Sequence, residues 1–240
     1  MLGYPKAALA DAVEAMSRSR AIGHAVTLIN TLCLSGRTNI LCGNYTTARA
    51  ELTEGITLSG EKSAIFWSAQ ATASLGVVST LVGDATDAVK KISAGLAMWR
   101  STGATASVPF FQSYLAMAHA MLGQHEESLH HINQAMATIE ATGERVWTAE
   151  VHRLAGEIAL LSPSSDFAEA QAHFDRAILT ARQQQAKSWE LRASISLTRL
   201  WRDQGQREQA REVLAPISHW FTEGFDTLDL KEAKALLNEL

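Results

Sequence analysis

A glycine recurs every 40 residues along this chain, at Gly3, Gly43, Gly83 and Gly123, and Gly205 follows 82 residues further on, close to two intervals. Five residues after each stands a small one: Ala8, Ala48, Ala88, Ser128 and Ala210. The missing member fits at Ala170, preceded by the turn-rich Ser162-Pro163-Ser164-Ser165-Asp166 with two extra residues. Seven residues before the glycine, small residues recur at Gly36, Gly76 and Ala116, and Gly156 keeps the spacing. A globular helix bundle does not require a constant period, whereas a stack of similar units does.

Each recurring residue type has a mechanical reason. A glycine can end a helix in the left-handed conformation at little cost. Polar residues such as Asn44, Asp84 and Asp166 then open the next helix by accepting from its free N–H groups. Small residues at Ala48, Ala88 and Ala170 let paired helices approach, and Leu52, Ile92, Ile132, Phe174 and Leu214, four positions on, fill the space between them. Small residues return at Ala15, Gly55, Gly95, Ala135 and Ala177.

Alanine is abundant, prolines number four and β-branched runs are nearly absent, so the chain reads as all-α. Second-type helices are expected over 5–21, 44–59, 84–101, 124–141, 166–184 and 206–222, and first-type helices over 24–42, 64–82, 106–122, 146–161 and 187–204. The turns within pairs fall at about 3, 43, 83, 123, 163 and 205, and loops with Gly23, Gly60, Gly103 and Gly143 join successive pairs. A closing helix over 227–239 starts at Asp226 or Thr227. The whole, 1–240, reads as a single repeat domain forming an α-solenoid.

Composition narrows the function. Apolar residues at 47% and charged residues at 19% suit a packed core rather than a disordered chain. A net charge of −4 gives no global attraction to nucleic acid or anionic lipid. No apolar run approaches the roughly 18 residues of a membrane span, and charges at Lys6, Asp11, Glu14, Arg18 and Arg20 interrupt any secretory leader. A soluble cytoplasmic protein is expected. Cys33 and Cys42, nine residues apart on one predicted helix, are roughly 13 Å apart, out of disulfide reach.

The unit resembles the tetratricopeptide repeat: a small residue in the first helix, a turn glycine seven later, alanines in the second. Gly43-Asn44-Tyr45-Thr46-Thr47-Ala48 is similar to that repeat's turn, tyrosine included, while Leu32 and Asn39 replace its aromatic first-helix residues. The period of 40 exceeds the repeat's roughly 34, adding about one turn of helix per unit. The resemblance implies stacked antiparallel pairs in a right-handed superhelix. A second resemblance covers nearly the whole chain: the C-terminal helical region of large bacterial signalling proteins that join an adenylate or guanylate cyclase domain to a STAND-type predicted ATPase. Leu2-Gly3-Tyr4-Pro5, Trp99-Arg100-Ser101-Thr102-Gly103, Glu150-Val151-His152-Arg153-Leu154-Ala155-Gly156-Glu157 and Trp220-Phe221-Thr222-Glu223-Gly224-Phe225-Asp226-Thr227 carry it. It implies a regulatory arm whose catalytic domains lie upstream.

Few motifs for chemistry emerge. Gly55 to Ser63, Gly-Ile-Thr-Leu-Ser-Gly-Glu-Lys-Ser, is one residue from a phosphate-binding loop, but Glu61 spoils the spacing and a helix precedes it where a strand is needed. His125 and His130 are five apart on a helix, turned roughly 140° from each other, against the i, i+4 of a zinc-protease helix. No metal site, cofactor site or catalytic set is expected, so the chain reads as no enzyme. Trp67, Trp147 and Trp189, with Phe110, recur near the starts of first-type helices, either as wedges between repeats or as an aromatic strip for stacking a ligand. The basic C-terminal third, Arg176 to Arg211, is interleaved with acids and reads as solvated helix faces.

In tetratricopeptide arrays the first helices line the concave face, which carries that groove onto Asn30, Arg37, Gln70, Phe110, Ser113, Met117, Glu150, Arg153, Glu157, Arg192 and Arg199. Arg153, Arg192 and Arg199 beside Glu150 and Glu157 suit a peptide tail or small anionic ligand, or else a set of internal ion pairs. Three function classes follow: an interaction or regulatory scaffold bound to a protein, a peptide or the parent's upstream domains; a ligand-sensing groove that controls those domains; and, opposed by the negative charge, an RNA-binding solenoid. The ends are expected to differ. Helix 5–21 lacks its first-type partner, so Ala8, Ala12 and Ala15 are left bare while Leu9, Val13 and Met16 face the next pair. This predicts an array complete at its C-terminus, where Leu228, Leu230, Ala233, Leu236 and Leu237 cap it, and open at its N-terminus to fraying or self-association.

Overall fold

The fold is known from a computed structural model, and the structure describes residues 1–163 and 165–240. Ser164, inside the predicted turn near 163, lies outside the described residues. The helices are α1 (Pro5–Ile22), α2 (Ala25–Leu41), α3 (Tyr45–Glu61), α4 (Ile65–Leu81), α5 (Ala85–Ser101), α6 (Val108–Met121), α7 (His125–Thr142), α8 (Thr148–Leu161), α9 (Phe167–Gln183), α10 (Lys187–Asp203), α11 (Arg207–Trp220) and α12 (Leu228–Glu239), with a 3-10 turn at Arg145–Trp147 before α8. They pack as consecutive antiparallel pairs, α2–α3 through α10–α11, with α1 before them and α12 after. The all-α solenoid is thus the observed fold, and most expected boundaries hold within two residues.

Left-handed residues punctuate the chain at every half-repeat. They are Gly3, Gly23, Gly43, Ser63, Gly83, Gly103, Gly123, Gly143, Ser165, Gln185 and Gly205. The loop after α3 therefore turns on Ser63, and Gly60, expected there, is helical within α3. The turn after α8 uses Ser165, two residues later than expected, which absorbs the two-residue insertion. Asp84 and Asp166 cap α5 and α9 by accepting from Asp87 N and Glu169 N. Asn44 instead donates to Asn39 Oδ1, and Thr227, which opens α12, donates its hydroxyl to the Gly224 carbonyl.

Three of the five pairs are locked by one large side chain seated on one missing side chain. A Cβ on Gly36 would stand 2.7 Å from Leu52 Cγ, and one on Gly156 2.5 Å from Phe174 Cε1. On Gly76 it would meet Ile92 Cγ1 at 2.5 Å and the Ile92 backbone nitrogen at 2.8 Å. Between pairs the same device repeats, since a Cβ on Gly95 would lie 2.6 Å from Ala73 N. Burial of these large residues is complete, so the interlock sets both the spacing of the helices and their register.

The ends depart from expectation. On α1, Leu9 and Met16 are half-buried, but Val13 is 72% exposed, because Pro5, Ala8, Leu9, Ala12, Met16 and Ser19 form the covered face. At the other end Leu230, Ala233 and Leu236 are buried and Leu237 is half-buried. Leu228 leaves that cap: it is exposed and reaches Gly43, where a Cβ would come within 2.5 Å of it.

Gly60 has open space where a Cβ would go. Gly60→Ala should therefore stabilise the chain by up to about 1 kcal/mol in chemical denaturation. Gly76→Ala should cost about 1–3 kcal/mol, because the Ile92 backbone cannot rotate away. Equal effects would show that the interlock does not set the pair spacing.

A second expectation concerns acid. His152 on α8 and His173 on α9 share a hydrogen bond between their Nδ1 atoms at 3.2 Å, which requires a proton on only one of them. Burial, with His173 and Arg176 adding to it, pushes His152 down to about 4; burial also lowers His173. Both pKa values are depressed on folding, so the unfolded chain takes up protons first as the pH falls below about 6.5. Stability should fall from there toward pH 4, by up to about 1.4 kcal/mol per pH unit for each proton withheld. A His152→Gln variant should show a shallower decline; an unchanged slope would remove these histidines from the account.

The concave face as candidate functional site

The eleven residues expected along the groove separate into three environments. Gln70, Phe110 and Ser113 are buried in the core, at 5%, 1% and 0% exposure, and offer no surface to a ligand. They were misplaced because α4 and α6 are covered nearly all round, so that the face pointing to the superhelix axis is itself packed. Asn30 and Met117 are half-buried at the margin. Of the remaining six, Arg37 stands apart, Arg199 pairs separately with Glu232, and Glu150, Arg153, Glu157 and Arg192 belong to one network of charges.

Glu150, 1% exposed, is its centre. The Tyr114 hydroxyl donates to Glu150 Oε1 at 2.8 Å. Arg153 donates Nη2 to Oε1 at 2.8 Å and Nε to Oε2 at 2.9 Å, a bidentate pair of neighbours one turn apart on α8. Arg192 brings Nη1 to 3.6 Å from Oε1. Burial alone would push the Glu150 carboxyl up, but Arg153, Arg192 and Tyr114 more than reverse this and hold it below the ordinary carboxylate range. Glu157 takes Arg153 at 3.5 Å and accepts from the Ser196 hydroxyl at 2.6 Å.

Arg192 carries the network across the concave face. Its Nε donates to Asp229 Oδ2 on α12 at 2.8 Å, and its Nη2 donates to the Leu41 carbonyl at the end of α2 at 2.9 Å. Other contacts join the same two ends. Ser188 N donates to the Met1 carbonyl at 2.9 Å, and Ala7 N donates to Glu223 Oε1 at 3.0 Å. Tyr4 sits edge-on to Trp220, and a Cβ on Gly224 would lie 2.3 Å from Pro5 Cγ. The array therefore curls until its first pair meets its last, and its inner face is closed by its own side chains. Sequence reasoning missed Tyr114, Leu41 and Asp229; no local pattern announces that residues 151 apart in sequence will meet.

Two cavities remain on this face. A volume of about 120 Å³ lies among Tyr45, Arg153, Arg192, Arg199 and Glu232, and Arg199 is paired with Glu232. A larger one of about 260 Å³ lies where the ends meet, bounded by Tyr4, Arg37, Leu41, Trp189, Phe221 and Leu230 among others. The aromatic residues favour wedging between repeats: Phe110 stands 4.5 Å from Trp147, and Trp147 stands 6.2 Å from Trp189, centroid to centroid, all three buried.

The other candidate motifs lie within helices and their turns. Gly55 to Glu61 form the last turns of α3, with their N–H groups spent inside the helix instead of facing a phosphate. Among the described residues no group of three His, Cys, Asp or Glu side chains could hold a metal ion. Cys33 and Cys42 are free and buried, and burial pushes the Cys33 thiol up to about 12. The basic C-terminal third is paired in part: Arg182 and Lys187 meet Glu190, and Arg202 meets Glu239. Among the described residues, no helix is long and apolar enough to cross a membrane.

No family model matches the chain, and no curated protein matches it in sequence. Solved structures do. A Rap protein complexed with competence and sporulation factor is similar with a TM-score of 0.70 at 14% identity, over 93% of this chain and 59% of that one. The apo form of RapI gives 0.69 at 13% identity, over 97% of this chain and 77% of that one. The APC/C hetero-tetramer Cut9–Hcn1 gives 0.60 at 15%, over 99% of this chain and 44% of that one. This chain thus spans about three-fifths of the Rap protein's length. At such identities the likeness shows the fold, a tetratricopeptide-like helical repeat.

Removing Glu150 leaves Arg153 and Arg192 buried without their shared carboxylate. Glu150→Ala should cost about 3–5 kcal/mol in urea denaturation, and Tyr114→Phe about 1–3 kcal/mol. A Glu150→Ala loss under about 1 kcal/mol would show that the network is not what holds the inner face closed.

Proposed function

We propose that this chain is a non-catalytic interaction and regulatory module, the C-terminal arm of a larger signalling protein with cyclase and STAND-type ATPase modules upstream. Its partner is a protein, a peptide, or those upstream domains. The observation that carries the reading is the distribution of bare apolar surface on a helical-repeat array. With much of the inner face taken up by internal pairs, surface for a large partner lies outside, where the first two helices leave Val13, Ile22, Val26 and Leu34 exposed. Two of the similar structures are complexes, the Rap protein with competence and sporulation factor and Cut9 with Hcn1, which supports a binding role.

A second reading is a ligand-sensing site on the inner face. It is favoured by one observation: Arg37, unlike Arg153, Arg192 and Arg199, has no hydrogen bond or ion pair among the described residues.

Two measurements bear on the main reading. The reading frame that contains this chain should encode a cyclase or ATPase module upstream, and its absence would overturn the parentage. Separately expressed upstream domains should bind the chain, and Val13→Glu with Ile22→Glu should weaken that binding at least about tenfold. Binding indifferent to both charges would move the docking surface elsewhere.

A further inference from the structure

Arg37 stands on the wall of the 260 Å³ cavity at the meeting of the two ends. Its guanidinium lies 5.9 Å from the centroid of the Trp147 ring and, among the described residues, meets no carboxylate or carbonyl. Burial depresses its pKa, opposed by Cys33 and Glu144 through space. The guanidinium is half-buried, and its five donors, still open to solvent, are free for an acceptor in the cavity. Trp189, 2% exposed, lines the same wall beneath the Arg192 guanidinium, and its indole N–H, closed to solvent, has no acceptor among the described residues. Leaving such a group unmatched costs about 1–3 kcal/mol. Asp229 also borders the cavity, but Arg192 neutralises it. The rest of the wall is largely apolar, with Tyr4, Leu41, Phe221 and Leu230.

We propose that this cavity binds a small organic carboxylate, its oxygens accepting from the Arg37 guanidinium and the Trp189 indole N–H and its apolar body lying between the two ends of the array. The inference rests on the ligand-sensing reading and gives it a site and a ligand class. The volume, slightly under the ~300–1,000 Å³ of drug-sized ligand pockets, fits one short acid or the last residue of a peptide. Either source presents the same chemistry, a carboxylate beside an apolar group. The wall draws on α2 from one end and α10, Phe221 and Leu230 from the other, so an occupant touches both and favours the closed arc.

The test uses the whole chain and thermal unfolding. Hexanoate, phenylacetate and indole-3-acetate are each compared with their primary amides, and acetyl-Ala-Ala-Phe is compared with its C-terminal amide as the peptide source. At ten times its Kd, a binding acid should raise Tm by about 3–6 °C, and the amides should not. Arg37→Gln should abolish the response without lowering the unliganded Tm, since Arg37 pairs with nothing. Trp189→Phe should weaken binding about tenfold, and Arg199→Gln should leave it unchanged. The peptide acid responding where the free acids do not would assign the peptide source. Acids and amides acting alike, a response surviving Arg37→Gln, or no response to any acid would overturn the site. In that last case, binding of the upstream domains would still uphold the interaction module.

Discussion

The closed form of this molecule turns on the Arg192 guanidinium. At 9% exposure it is taken from water, and such a charge is tolerable only if its donors are matched. They are matched from three directions: Glu150 on α8, Asp229 on α12 and the Leu41 carbonyl at the end of α2. A planar fork of five donors can serve three such acceptors at once, which a lysine ammonium at the same place could not reproduce. Each acceptor comes from a different part of the array, so a single side chain joins the first pair, the middle and the cap.

The stacking itself was legible because it is local and repeated. The small residue at Gly36, Gly76 or Gly156 and the large one at Leu52, Ile92 or Phe174 are separated by a turn whose length hardly varies, so their meeting can be read from spacing. The helix boundaries follow from the same rhythm. The half-repeat turns were less legible where a serine or glutamine takes the left-handed conformation. Gly60 drew attention away from Ser63, and neither Ser165 nor Gln185 has the side chain that advertises such a turn.

The inner face was legible only in part, for a different reason. The residues expected there follow from family geometry by counting from each turn, and on α8 that count falls on Arg153 and Glu157, which keep part of their side chains exposed. It failed on α4 and α6, whose small and aromatic residues are covered on nearly every side, so that Gln70, Phe110 and Ser113 sit in the core. Which arginines find internal partners is a property of curvature. Curvature is the sum of small rotations between pairs, and no single interface records that sum. The cap shows the same limit: Leu230, Ala233 and Leu236 declare an apolar face, but nothing in the helix declares that Asp229 will point across the arc.

Closure also changes how such an array holds together. An open solenoid is approximately one-dimensional: each repeat contacts its neighbours, and the ends can fray without cost to the middle. Here Leu41 meets Arg192 and Ala7 meets Glu223, contacts that span 151 and 216 residues of sequence. Loop-closure entropy for such spans grows only slowly with length, so once the intervening pairs are stacked the added cost of joining the ends is small. The bonds at the junction are then lost together if any pair between them opens. The first helix, which the repeat pattern alone leaves without a partner, is tied by Met1, Tyr4, Pro5 and Ala7 to the segment that ends the array. A change at either end therefore reaches the other directly through this junction and the Arg192 network, without passing through every interface between pairs in series.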